Sequence, residues 1–132
     1  MVDDAGDTFQ AGDIVNGGEG TDAFNLTLAG PNPASSAGAE LNGVEQVFAR
    51  SVGDNAGTVN AASFNGVEQT WNQNSIQDLT YTNLSSLTTI GVRNTATVTT
   101  VEYTNGAMTA SDDAVSVVLD GAQEDSEVII GR

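Results

Sequence analysis

The pentapeptide Asn-Gly-Val-Glu-Gln occurs twice in this chain, at residues 42–46 and again at 65–69, an offset of 23. A unit of that length cannot bury an apolar face alone. It gains a core only by stacking on its neighbours, which points to a repeat architecture. A looser copy follows in "NLSSLTTIGVRNT", where Leu84 lies 20 residues after Phe64. The three copies align as Leu41/Val44/Val47, Phe64/Val67/Thr70 and Leu84/Leu87/Ile90. Rows at every third position, repeating after about 20 to 23 residues, suit one coil of a parallel β-solenoid, with a short strand and a corner in each coil.

The remainder of the chain agrees with an all-β reading. Ala, Gly, Thr, Val, Asn and Asp dominate, and β-branched residues favour strands while Gly, Asn and Asp favour turns. Strand-like runs are "DAFNLTL", "VEQVFARSV", "VEQTWNQ", "LTTIGVRN", "TVTTVEYT", "AVSVVLD" and "SEVIIG". The best helix candidate, Asn32 to Leu41, reads equally as a loop. The competing architecture is an antiparallel β-sandwich, because Asn-Gly is a strong hairpin signal. A hairpin needs matched strands on both sides, however, and the Pro/Ala/Ser stretch before Asn42 is a poor strand. The 132 residues read as one domain. It comprises a Gly/Asp-rich corner over 1–30, the repeats over 40–100 and terminal strands over 101–132. The closing "SEVIIGR" carries no polar cap, so the expectation is a segment of a longer protein or a subunit that stacks on its own copies.

Composition narrows the chemistry. With no Cys, thiolate-held zinc, disulfide staples and Cys nucleophiles are excluded. The absence of His and Lys removes the commonest general base and the commonest transition-metal ligand. There is no Gly-x-Ser-x-Gly elbow and only one Trp, and Trp71 reads as a core or coil-edge residue, so the chain is not expected to be an enzyme. Eighteen acidic residues against three Arg give a formal net charge of -15. That charge argues against nucleic acid and anionic membranes as partners, and no run is long and apolar enough to span a bilayer. The ligands that remain are hard oxygens, which suit Ca2+ or Mg2+.

Three phrases near the start share a pattern: Asp7-Thr-Phe-Gln, Asp13-Ile-Val-Asn and Asp22-Ala-Phe-Asn. Gly17 to Asn25, "GGEGTDAFN", fits every fixed position of the calcium-binding β-roll nonapeptide G-G-x-G-x-D-x-U-x. Glycines such as Gly18 and Gly20 can turn backbone carbonyls toward a common point, and Asp22 sets a carboxylate beside them. One nonapeptide supplies half a cage, so the other half is expected from the Asp7/Asp13 corner or from a neighbouring molecule. Asp112, Asp113 and Asp120 form further acidic turn candidates near the last two strands. Glu45 and Glu68 hold equivalent repeat positions. They would stack one coil apart and either share a cation or point into solvent.

This combination, "AGDIVNGGEGTDAFN" followed by "LNGVEQV" and "FNGVEQT", resembles RTX-type surface-layer and adhesin proteins of Gram-negative bacteria over about residues 6–100. The resemblance implies a calcium-loaded β-solenoid that leaves the cell by type I export, without an N-terminal signal peptide, and assembles outside it. The expected function is a structural extracellular one, calcium-dependent self-assembly into a surface layer, filament or biofilm matrix. Head-to-tail stacking would make a homo-oligomer or polymer, and a cell-surface polysaccharide is a further candidate partner. The alternative is a calcium-binding folding or export module of a larger secreted enzyme or adhesin.

Overall fold

A computed structural model describes residues 9–35 and 38–132. Among these residues twelve strands follow one another. They are β1 (Ile14–Asn16), β2 (Ala23–Leu28), β3 (Glu40–Asn42), β4 (Gln46–Ser51), β5 (Gly57–Asn60) and β6 (Phe64–Asn65), then β7 (Gln69–Gln73), β8 (Leu79–Leu84), β9 (Thr89–Arg93), β10 (Val98–Tyr103), β11 (Val117–Asp120) and β12 (Glu127–Gly131). They assemble into three sheets, ordered β1-β3-β6, β2-β4-β7-β9-β11 and β5-β8-β10-β12, and every pairing between strands is parallel. Consecutive strands therefore lie in different sheets, and each strand pairs with its equivalent one coil away. This is a parallel β-solenoid. The antiparallel sandwich is ruled out by the pairing direction.

The register reproduces the sequence repeat. Ala23 pairs with Gln46, Gln46 with Gln69, Gln69 with Thr89 and Ile90 with Val117, so successive coils run 23, 23, 20 and 27 residues. The first three fall within the expected period. The last is longer because its extra residues enter the connection between β10 and β11. No helix forms over Asn32 to Leu41 among the described residues. Ala34 instead bridges Thr58 in parallel, and Ser35 N–H donates to the Thr58 carbonyl at 2.9 Å. That puts this stretch beside β5, where coil-to-coil pairing overrides the weak local helix preference of Ala and Ser.

Alternation along each strand decides what faces inward. Val47, Ala49 and Ser51 point into the core from β4, while Phe48 and Arg50 point outward. The residues foreseen in stacked rows are interior: Leu41 and Phe64 pair in one row, Val47, Thr70 and Ile90 are fully buried in another, and Leu84 is buried on β8, where it pairs with Tyr103 rather than with Phe64. Burying each Leu or Ile is worth about 1.5–3 kcal/mol. Polar residues also enter the interior, and they are satisfied there. The Asn72 side-chain amide donates to Thr99 Oγ1 at 2.8 Å and Thr97 Oγ1 at 3.2 Å, and its oxygen accepts from Ser75 Oγ. The Tyr81 hydroxyl donates to the Trp71 carbonyl at 2.6 Å, and burial pushes its phenol far above the ordinary tyrosine value.

Trp71 is buried, at 7% exposure, yet it lies on the outward face of its sheet. It is covered rather than cored. The Phe48 ring stacks on it at 5.6 Å, the Arg93 guanidinium lies 4.5 Å over its ring, and its indole N–H donates to Gln69 Oε1. Gly91 is the residue paired with Trp71 in the next coil, and a Cβ there would come within 2.1 Å of the indole. Gly91→Ala should therefore cost about 1–3 kcal/mol in chemical denaturation. In a Trp71→Ala background the same substitution should cost far less, because the indole it strikes is gone. Equal costs in both backgrounds would place the glycine requirement elsewhere.

Candidate metal centre

The corner that joins the first sheet to the second differs between coils. In the second and third coils it is three residues, Gly43–Glu45 and Gly66–Glu68, each opened by a glycine with positive φ, 61° and 94°. In the first coil it is six residues, Gly17 to Asp22, with Gly18 and Gly20 at φ of 100° and 116°. The nonapeptide is thus the ordinary corner of this solenoid with three residues added. A residue with a side chain pays strain at such φ values, whereas glycine does not.

The added residues fold back on the second coil. Gly17 N–H donates to the Asn42 carbonyl at 2.9 Å. A Cβ on Gly17 would lie 1.9 Å from the Gly43 carbonyl oxygen and 2.9 Å from both Cβ and Oδ2 of Asp22. A Cβ on Gly43 would in turn lie 3.3 Å from the Gly18 carbonyl oxygen. Glycine at these places lets two corner backbones and one carboxylate share the same small space.

Asp22 is the ionisable group at the centre of that space. Its N–H donates to Glu45 Oε2 at 2.8 Å, and its carbonyl accepts from Gln46 N–H at 3.0 Å. Its Oδ2 is buried and, among the described residues, has no hydrogen-bond partner. An unpaired buried carboxylate oxygen is costly, by roughly 1–3 kcal/mol or more. Asp22, Glu45 and Glu68 form one column, each immediately before the paired residues Ala23, Gln46 and Gln69. Parallel strands lie about 4.8 Å apart, so like charges in this column repel unless a cation or hydrogen bonds intervene. Among the described residues no three His, Cys, Asp or Glu side chains converge. A cation held here would take two carboxylates, Asp22 and Glu45, and the rest of its oxygens from the corner backbone. The orphaned Asp22 oxygen, the glycine cradle and the all-oxygen donor set fit calcium.

The other acidic candidates are placed elsewhere. Asp13 sits at the far end of β1 from this corner; its Oδ2 accepts from Gln10 N–H at 2.9 Å and its carbonyl from Glu40 N–H at 2.8 Å. Asp7 lies outside the described residues. Asp112 and Asp113 lie in an exposed turn, where Asp113 Oδ2 accepts from Ala110 N–H at 2.9 Å. Asp120 pairs with Arg93 at 2.7 Å. Of the residues chosen from sequence, Gly18, Gly20 and Asp22 lie in this one corner, but the glycine packed against the Asp22 carboxylate is Gly17. The corner stacked against them is Gly43–Glu45 of the same chain, not the one at Asp13. Glu45 was visible in the sequence as the partner of Glu68. The spacing of 23 between Asp22 and Glu45, equal to the NGVEQ offset, was the signal that ties it to Asp22 instead.

Compared with protein-family models, with curated proteins and with solved structures, the chain matches none. The geometry also separates glycines that a motif treats alike. Gly17→Ala should disrupt the corner, since its Cβ strikes backbone that has no room to yield. Gly18→Ala and Gly20→Ala meet open space and should cost only the positive-φ strain, about 1–2 kcal/mol each. Urea midpoints for the three variants check the order, and a Gly17→Ala cost no larger than the other two would refute the packed corner.

Proposed function

We propose that this chain is a structural, calcium-dependent assembly domain that works outside the cell. The observation that carries this reading is the buried Oδ2 of Asp22, unpartnered among the described residues, beside Glu45 in a corner where Gly17 leaves no room for a side chain. Calcium would supply the positive charge that this pair of carboxylates lacks, and would tie the first coil to the second. The formal charge of -15 adds a general reason, since bound divalent cations relieve self-repulsion of the compact state.

Assembly by stacking is supported at the first and last coils. On β11 and β12 the inward rows continue as Val117, Leu119, Val128 and Ile130, and Leu119 is 63% exposed. At the first coil a cleft of about 570 Å³ opens among Phe9, Ile14, Val15, Phe24 and Leu26. The column containing Leu119 begins at Leu26, and the column containing Val117 begins at Phe24. A second copy whose β2 lies on β11 would therefore extend the sheet in parallel, with Val117 over Phe24 and Leu119 over Leu26.

Thermal unfolding in calcium and in chelator tests the metal reading. Extracellular modules bind calcium at about 10⁻⁴–10⁻³ M, so millimolar calcium should stabilise by about 1 kcal/mol, a rise of about 3–5 °C in Tm. Asp22→Asn and Glu45→Gln should each abolish that rise. An unchanged midpoint in the parent protein would sink the calcium reading. Light scattering in calcium tests assembly separately. The parent should exceed its monomer mass of 13.5 kDa, and Leu119→Asp should return it to monomer while keeping the calcium-dependent midpoint. A parent that stays monomeric at high concentration would overturn stacking alone.

A further inference from the structure

The chain holds four Asn-Gly pairs, at 16–17, 42–43, 65–66 and 105–106. Such pairs are chemically labile. The backbone nitrogen of the glycine can attack the asparagine Cγ, because glycine presents no side chain to obstruct the approach. The fold treats the four very differently.

Three of them end strands in the first sheet: Asn16 closes β1, Asn42 closes β3 and Asn65 closes β6. They stack as a ladder. Asn42 Nδ2 donates to Asn16 Oδ1 at 3.3 Å, and Asn65 Nδ2 donates to Asn42 Oδ1 at 2.8 Å. The attacking nitrogens are held as well. Gly17 N–H donates to the Asn42 carbonyl at 2.9 Å, and Gly43 N–H donates to the Asn65 carbonyl at 3.1 Å. Ring closure requires the asparagine backbone to rotate out of its extended conformation, and at these positions that breaks the inter-coil pairing. Asn65 is the least restrained of the three: it is held through its side chain and its carbonyl, but among the described residues no bond holds the Gly66 N–H as the Gly17 and Gly43 N–H groups are held.

Asn105 and Gly106 are exposed and lie in the turn that follows β10, closed by Ala107 N–H donating to the Thr104 carbonyl at 3.0 Å. Neither the Asn105 amide nor the Gly106 N–H takes part in that bond. We infer that Asn105 is the site of spontaneous deamidation in the folded protein, and that the asparagine ladder protects the other three. In the reaction the Gly106 nitrogen bonds to Asn105 Cγ and gives up its proton. The Cγ–Nδ2 bond breaks and ammonia departs, leaving a succinimide. Water then opens the ring at either carbonyl, giving aspartate or isoaspartate. The balance is one water consumed and one ammonia released, with one negative charge gained.

Peptide mapping by mass spectrometry after incubation in mildly alkaline buffer tests this, with the folded protein and the same chain in denaturant run side by side. A strand-end pair must first break a ladder hydrogen bond, so Asn105 should react at least about tenfold faster than Asn16 and Asn42 in the folded protein, with Asn65 between. In denaturant the four rates should converge. Asn105→Gln should remove the early acidic species from ion exchange while leaving the melting midpoint in place. Comparable rates at all four sites in the folded protein would overturn the ladder's protective role. An equally strong preference for Asn105 in denaturant would assign the effect to local sequence and overturn it too. An Asn105 that stays intact while the denatured chain reacts would refute the site itself.

Discussion

Each coil of this solenoid buries its inward side chains only because the next coil lies directly upon it. The parallel ladder sets the spacing, and every row in the interior is a column of residues from successive coils. This one constraint explains features that would be liabilities in an ordinary core. Asn72 is fully buried because Ser75, Thr97 and Thr99 from the adjoining turn and the following coil meet all of its polar atoms. Thr70, Thr88 and the Tyr103 hydroxyl form a similar chain. The neighbours of Asn72 and Thr70 in their own columns are apolar, Ala49 and Val92 for the one and Val47 and Ile90 for the other, so each polar side chain is tolerated because turns and the other sheet supply its hydrogen-bond partners.

The same constraint governs where the chain can vary. Strands are held in register by their neighbours, so differences in coil length are absorbed at corners. The six-residue corner before β2 and the long connection before β11 are both of this kind. The first carries the chemistry. It brings the Asp22 carboxylate and the Gly18 carbonyl onto the next corner, where the NGVEQ glutamate already stands. The repeat and the nonapeptide, which look like separate motifs in the sequence, are two halves of one local arrangement.

Outward columns follow the rule with different content. Phe48 and Trp71 stack along the second sheet, and Arg93 closes over the indole while pairing with Asp120. The exposed ion pair adds little by itself, because solvent screens it. The cation over a largely desolvated ring contributes more, about 0.5–2 kcal/mol. Gly91 is part of this device, since the indole occupies the space a side chain would need.

The NGVEQ offset by itself determined the coil, the parallel direction that a coil implies, and the interior rows at Leu41, Val47, Phe64, Thr70 and Ile90. It did so because stacking makes sequence period and spatial neighbour the same thing. The strands with strong β-branched or aromatic content, such as β4, β9 and β10, were legible for the same reason. The short strands β1, β3, β5 and β6 were not, nor were β8 and the extended path near Ala34, because their pairing comes from the coil beside them. Gly18, Gly20 and Asp22 could be chosen from the nonapeptide. Only the tertiary structure decided that Glu45 stands against Asp22, that Asp13 faces away from it and that Arg93 takes Asp120. Those outcomes depend on which corner stacks on which, and that is settled by the register of whole coils, which no single motif contains.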